Sequence, residues 1–199
     1  TPAPTAPFWL SASDHRPLPV DVICEPTIPA AFTICEPSPL PGPRGRTTAA
    51  RTARENIAQL VDDGSFIEYG SLVIAAQSAR RTRDDLIANT SGDGVVTGLA
   101  AINGDLFAAG KARCLVAVYD YMVLAGTQGQ RHHKKLDRLF ALAHRQRLPV
   151  VLYAEGGGGR PGDTDRLGVS GLDVPTFAQF ARLSGLAPLV GAGSGYWFA

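Results

Sequence analysis

The sequence predicts an α/β domain built on a mixed sheet, and three observations carry that expectation. Residues Pro149 to Ala154 are an apolar run without alternation, the pattern of a strand covered on both faces. That run empties into Glu155 and four glycines, Gly156 to Gly159, before Arg160-Pro161-Gly162. Asn103-Gly104, a strong two-residue hairpin signal, lies between two further extended stretches, and units of strand, glycine turn and helix then recur. Superposed ββα turns of this kind stack several strand ends along one edge.

With 199 residues and 45% hydrophobic content, the chain is long enough for one sizeable core. A net charge of +1 removes any global electrostatic case for nucleic acid or an anionic membrane as partner. Three cysteines, Cys24, Cys35 and Cys114, leave at least one unpaired, and the first two are too far apart for a C-x-x-C metal knuckle. A reducing cytoplasm is the expected compartment. No segment approaches the roughly 18 uninterrupted apolar residues of a membrane span. The first residue is Thr1 rather than methionine, and the chain stops on Tyr196-Trp197-Phe198-Ala199, so it is expected to be a piece of a longer protein.

Residues 1–46 hold most of the 15 prolines and read as a proline-rich linker or tail. The repeat Ile23-Cys24-Glu25-Pro26 and Ile34-Cys35-Glu36-Pro37 reads as coincidence in a biased segment. The folded domain is expected over 47–199. From Thr47 the pattern turns helical, with Ile57, Leu60 and Val61 on one face, until Asp62-Asp63-Gly64 ends it. A short strand, Phe66 to Tyr69, follows. The charged stretch from Arg80 to Asp85 reads as a solvated helix face. Val95 to Ile102 is expected to be a strand that turns at Asn103-Gly104 into Asp105 to Ala109, with a third strand from Cys114 to Tyr121.

Gly126-Thr127-Gln128-Gly129 then precedes a helix over Gln130 to Arg147, with Leu136, Leu139, Phe140 and Ala143 on its buried side. This helix is the crossover that delivers Pro149 to Ala154. A helix near Pro175 to Leu183 leads to a last strand, Pro188 to Val190, expected to run parallel to Pro149 to Ala154. It ends in Gly191, Gly193 and Gly195. His132 and His133 lack the i, i+4 spacing of a metal pair, and the basic run Arg131 to Lys135 reads as a wet surface, with contact to a ligand phosphate as the second reading. Ser194 is a poor match to a G-x-S-x-G elbow, so serine hydrolase chemistry is not indicated.

Two nucleotide motifs overlap the glycine loop and neither survives. Gly157, Gly159 and Gly162 match G-x-G-x-x-G, but Pro161, Gly162, Gly168 and Gly171 oppose the immediate helix that motif requires. Gly157 and Gly162 have P-loop spacing, yet Asp163-Thr164 stands where a phosphate-binding lysine belongs, and a carboxylate repels phosphate. What remains is a cradle of backbone amides without a fixed cation, suited to one developing negative charge, an oxyanion hole.

Several ordered motifs then point to a family. They are Arg54-Glu55-Asn56-Ile57, Asp63-Gly64-Ser65-Phe66-Ile67-Glu68, Asp93-Gly94-Val95-Val96-Thr97-Gly98, Ile102-Asn103-Gly104, Tyr119-Asp120-Tyr121, Val123-Leu124-Ala125-Gly126-Thr127-Gln128-Gly129 and Gly157-Gly158-Gly159-Arg160. Over roughly residues 50–199 the chain resembles the N-terminal half of the carboxyltransferase component of biotin-dependent acyl-CoA carboxylases.

The resemblance implies a crotonase-like spiral of ββα units and transfer of a carboxyl group from carboxybiotin to the α-carbon of an acyl-CoA through an enolate. It implies Gly157 and Gly158 as the amides that hold the enolate oxygen, and Gly126, Gly129, Gly159, Arg160 and Gly195 as residues around the substrate. Biotin would arrive on a carrier domain or separate subunit, and a second carboxyltransferase domain would supply its site within a homo-oligomer. No metal is implied. Where many relatives have Asp-Ser-Gly-Gly-Ala-Arg, this chain has Glu155-Gly156-Gly157-Gly158-Gly159-Arg160, a form resembling carboxylases fused into one long chain. Two alternatives stand beside this reading. One is another crotonase-type acyl-CoA enzyme, a hydratase or decarboxylase using Glu155, Asp163 or Asp165 as acids; the other is a non-catalytic scaffold fragment.

Overall fold

The computed structural model describes residues 32–35, 52–165 and 174–193. Six strands, β1 (Phe32–Cys35), β2 (Ile67–Tyr69), β3 (Val95–Ala101), β4 (Arg113–Tyr119), β5 (Val150–Tyr153) and β6 (Leu189–Gly193), form one mixed sheet in the order β1-β6-β5-β4-β3-β2. The β2–β3 and β3–β4 pairs are antiparallel, whereas β4–β5, β5–β6 and β1–β6 are parallel. Among the described residues there are four α-helices, α1 (Ala53–Leu60), α2 (Arg83–Asn89), α3 (Gln130–Gln146) and α4 (Thr176–Leu183), and three short 3-10 turns at Ser91–Gly94, Gly104–Leu106 and Leu124–Gly126.

Each face of the sheet carries its own apolar layer. Along β4, Leu115, Ala117 and Tyr119 face a cluster that includes Leu136, Leu139, Phe140 and Ala143 of α3 and Leu183 of α4. The alternate residues Cys114, Val116 and Val118 pack with Ala53 and Ile57 of α1. This two-sided burial is the physical reason that the strand sequences lack polar alternation. Burial also pushes the Cys114 thiol up to about 12, which keeps it protonated and unreactive. Phe140 is 1% exposed and its ring lies 5.1 Å from that of Phe180. Phe140→Ala is therefore expected to destabilise the domain by about 3–5 kcal/mol, read as a lowered urea midpoint. A loss under 1 kcal/mol would mean that α3 is not held by this layer.

Local signals explain the helix starts. Thr52 caps α1 in a reciprocal box, its hydroxyl accepting from the Glu55 amide while the Glu55 carboxylate accepts from the Thr52 amide at 2.7 Å. Thr82 caps α2 by accepting from the Asp85 amide. α3 has no side-chain cap of its own, because Gly129 stands at that position, and its first amides are met from elsewhere in the chain.

Three expectations need correction. Asn103-Gly104 does not make a two-residue hairpin, and Asp105 to Ala109 is not a strand. β3 pairs with β4 across a longer connection closed by Ile102 N–H donating to the Ala112 carbonyl, 3.1 Å. The Asp62 carboxylate accepts from the amides of Asn103 and Gly104 at 2.8 and 2.7 Å, and Asn103 takes a left-handed φ of 55°. A distant side chain thus uses the two amides that a tight hairpin would have arranged locally. Within the stretch expected to be linker, Phe32–Cys35 forms β1 and pairs parallel to β6. The third concerns the basic run at the start of α3, where His132 and Lys135 are buried rather than wet.

Candidate functional site

β4 and β5 are adjacent and parallel, so the chain leaves both at the same edge of the sheet. That edge is where open α/β sheets gather their ligand loops. The segment after β4 turns through Leu124, Ala125 and Gly126, all left-handed (φ 51°, 55° and 63°). The segment after β5 is the glycine loop, in which Gly158 has φ 78°.

These two segments interlock by backbone. Gly157 N–H donates to the Ala125 carbonyl at 3.0 Å, Gln128 N–H to the Gly158 carbonyl at 2.8 Å, and Arg160 N–H to the Gln128 carbonyl at 2.9 Å. A Cβ on Gly126 would overlap the Glu155 carbonyl oxygen, and one on Gly156 would overlap the Gly126 carbonyl. Glycine is required at both positions because backbone passes there at contact distance.

The structure treats the expected site residues unequally. The Gly157 amide is committed to Ala125, so of the two expected oxyanion donors it serves inside the loop. Gly158 is buried, and among the described residues no backbone carbonyl takes its amide. Gly126 and Gly129 border the same loop; a Cβ on Gly129 would fall on the Arg160 guanidinium and 2.5 Å from the Asp163 carboxylate. Gly159 is exposed and pairs with Gln128 in an isolated parallel bridge. Gly195 and Ser194 lie outside the described residues, as do Gly168 and Gly171.

Arg160, expected to touch substrate, is turned inward. Its side chain is 7% exposed and pairs with Asp93 through Nη2 and with Asp163 through Nε at 2.9 Å. Nη1 donates to the Thr127 carbonyl at 3.1 Å. The two carboxylates also receive the first amides of α3, Asp163 from Gln130 at 2.7 Å and Asp93 from His132 at 2.7 Å. Gln77 Nε2 donates to Asp163 at 3.2 Å. The positive end of the α3 dipole is thereby matched by protein carboxylates rather than left for a ligand. Burial raises the Asp93 carboxyl above its ordinary range, opposed by the charge of Arg160.

The other two acids of the loop are also placed. Asp165 accepts from the amide and hydroxyl of Ser78 at 2.7 and 2.6 Å and pairs with Arg131 at 2.9 Å. The Ser78 hydrogen bonds hold its carboxyl below the usual range. Glu155 is 7% exposed.

α3 reaches the Gly92–Gly94 turn a second time through Lys135, whose ammonium donates to the carbonyls of Gly92, 3.0 Å, and Val95. Burial pushes that ammonium down to about 8. His132 is fully buried, edge-on to Tyr119 with ring centroids 4.5 Å apart. Its Nδ1 lies 3.2 Å from the Asp93 carbonyl, which only accepts, so Nδ1 carries the proton.

Burial lowers the His132 pKa well below 6.5, which makes the fold acid-sensitive. Below pH 6.5 the unfolded imidazole takes a proton that the folded one refuses, so stability is lost as pH falls. The expected slope is about 1.4 kcal/mol per pH unit for that one site. His132→Gln should flatten the acid limb by about one proton relative to the parent; parallel limbs in urea titrations would contradict this.

Sequence reasoning passed over Asp93, Thr127 and Lys135 as functional positions. The left-handed Asp93-Gly94 pair was visible as a motif, whereas the buried partners of Lys135 were not. Among the described residues no group of His, Cys, Asp and Glu could hold a metal ion, and no helix is long and apolar enough to cross a membrane.

Solved carboxyltransferase structures, crotonase-like in fold, share this mixed α/β architecture. A solved structure of a single-chain, multi-domain long-chain acyl-CoA carboxylase matches with a TM-score of 0.70 and 63% identity, over 75% of this chain and 15% of that one. A family model described as carboxyl transferase domain matches residues 43–185, and the chain belongs to that family.

Curated relatives agree. The biotin-dependent long chain acyl-coenzyme A carboxylase beta4 subunit of Mycobacterium tuberculosis is 34% identical over 159 residues, 74% of this chain and 26% of that protein. The propionyl-CoA carboxylase beta chain of Roseobacter denitrificans is 33% identical over 109 residues, 55% of this chain. The match spans 19% of the length of that relative.

Proposed function

We propose that this chain forms the acyl-CoA side of a biotin-dependent carboxyltransferase, with the Gly158 amide donating to the thioester oxygen as it becomes an enolate oxygen. The observation that carries the reading is the interlocked pair of loops, which leaves Gly158 buried, left-handed and without a described backbone acceptor at the edge where β4 and β5 end. A donor fixed at the site of developing charge is worth on the order of 3 kcal/mol in the transition state.

Gly157 orients that donor by tying the loop to Ala125, Gly126 lets the two backbones pass at contact distance, and Gly129 leaves room for the Arg160 guanidinium and the Asp163 carboxylate. Carboxybiotin, when bound, would supply the carboxyl group and, in its biotin, the acceptor for the α-proton lost as the enolate forms; it would be delivered by a carrier domain and seated by a second carboxyltransferase domain in an oligomer. The residues described here serve the acyl-CoA side, and no step through biotin is assigned to them. The engagement of Asp163 and Asp165 in structural bonds weighs against a hydratase-like acid or base in this loop.

Transfer of labelled bicarbonate to an acyl-CoA, with ATP and the complete enzyme, tests the reading. Label in the acyl-CoA, abolished by avidin, is the expected result. Turnover of the acyl-CoA with biotin sequestered would contradict it.

A further inference from the structure

We propose that Arg160 is a positioning residue that holds the Gly158 amide in its donor geometry without touching substrate, an inference that rests on the acyl-CoA reading above. Three segments meet at its guanidinium. Nη2 takes Asp93 in the turn before β3, Nη1 takes the Thr127 carbonyl after β4, and Nε takes Asp163 beyond the glycine loop.

Two of those segments are left-handed over three residues: Gly92, Asp93 and Gly94 at 66°, 53° and 76°, and Leu124, Ala125 and Gly126 at 51°, 55° and 63°. The two turns also touch, since a Cβ on Gly94 would lie 3.2 Å from the Val123 carbonyl. Left-handed backbone is unfavourable for Leu and Ala and only tolerated by Asp, so these turns persist because outside contacts hold them. Arg160 supplies one such contact to Asp93 within the first turn and one to Thr127, immediately after the second, and it stands two residues from Gly158 in a loop bonded to Gln128 on both sides. Movement of the guanidinium would therefore be transmitted to the Gly158 amide. Only a planar fork reaches three acceptors in three directions, and the point charge of lysine does not reproduce it.

The test uses the full chain with two probes: octanoyl-CoA carrying carbon-13 at the thioester carbonyl, and octyl-CoA, the thioether without that carbonyl. In the parent chain the carbonyl stretch is expected to fall on binding, and the thioester to bind roughly fivefold more tightly than the thioether. In Arg160→Lys the stretch should return toward its free value and the preference should vanish, while thioether affinity and the far-ultraviolet spectrum stay unchanged. Should Arg160→Lys fail to fold, Asp163→Asn, which keeps the shape of the partner and removes its charge, is read in the same way. A parental carbonyl shift and preference in the folded variant would overturn the positioning role alone. A parent chain with neither shift nor preference would overturn the oxyanion reading and this inference with it.

Discussion

Gly158→Val is expected to lower carboxyl transfer by roughly a hundredfold or more while costing folding stability no more than about 1–3 kcal/mol, the cost of a strained backbone position. The residue sits at φ 78°, a conformation that a β-branched side chain resists, and its amide is the donor assigned to the enolate oxygen. Rotating that amide away removes an interaction that strengthens only in the transition state, so the loss should appear in kcat and in kcat/KM alike. Stability is affected less because the loop is held from both sides, by Gly157 on Ala125 and by Arg160 on Gln128. Steady-state rates with thermal melts separate the two effects. Near-normal turnover in a folded Gly158→Val enzyme would remove the oxyanion assignment.

Asp163→Ala is expected to cost about 3–5 kcal/mol of folding stability. The side chain is fully buried and meets Arg160, Gln77 and the first amide of α3, so its removal leaves a buried guanidinium half-paired and a helix end uncapped. From sequence, a severe effect at this position would point to an acid or base in the manner of a hydratase. With the geometry known, a severe effect is structural. Urea unfolding should show the loss without any substrate present, and a change under 1 kcal/mol would show that the network does not support the fold.

These particulars show what was legible in the sequence. β4 and β5 announced themselves because both faces are covered, and the parallel pairing of β5 with β6 follows from the α4 crossover between them. The glycine loop was recognisable because its two nucleotide readings fail on residues beside it, the P-loop on Asp163 and the dinucleotide fingerprint on Pro161 and the glycines that follow.

The hairpin at Asn103-Gly104 was misread because its determinant, Asp62, lies 41 residues away from Asn103. The inward turn of α3 was misread for the same reason, since His132 meets Asp93 across 39 residues and Gln130 meets Asp163 across 33. The partners of Arg160 come from three separate segments, so its inward turn could not be read from the sequence. Local propensity reports strands and helices well, whereas the partners of a buried charge are set by tertiary approach.

On the reading proposed above, this loop stabilises an enolate through the Gly158 amide and contributes no side-chain base of its own, the α-proton leaving to biotin. The most direct measurement is the deuterium content of the acyl-CoA α-carbon after incubation in heavy water with the complete enzyme, its biotin blocked by avidin. Mass spectrometry should find no enzyme-dependent deuterium, while the same preparation without avidin carboxylates the acyl-CoA. Rapid α-deuteration in the presence of avidin would reveal a protein base and contradict the account.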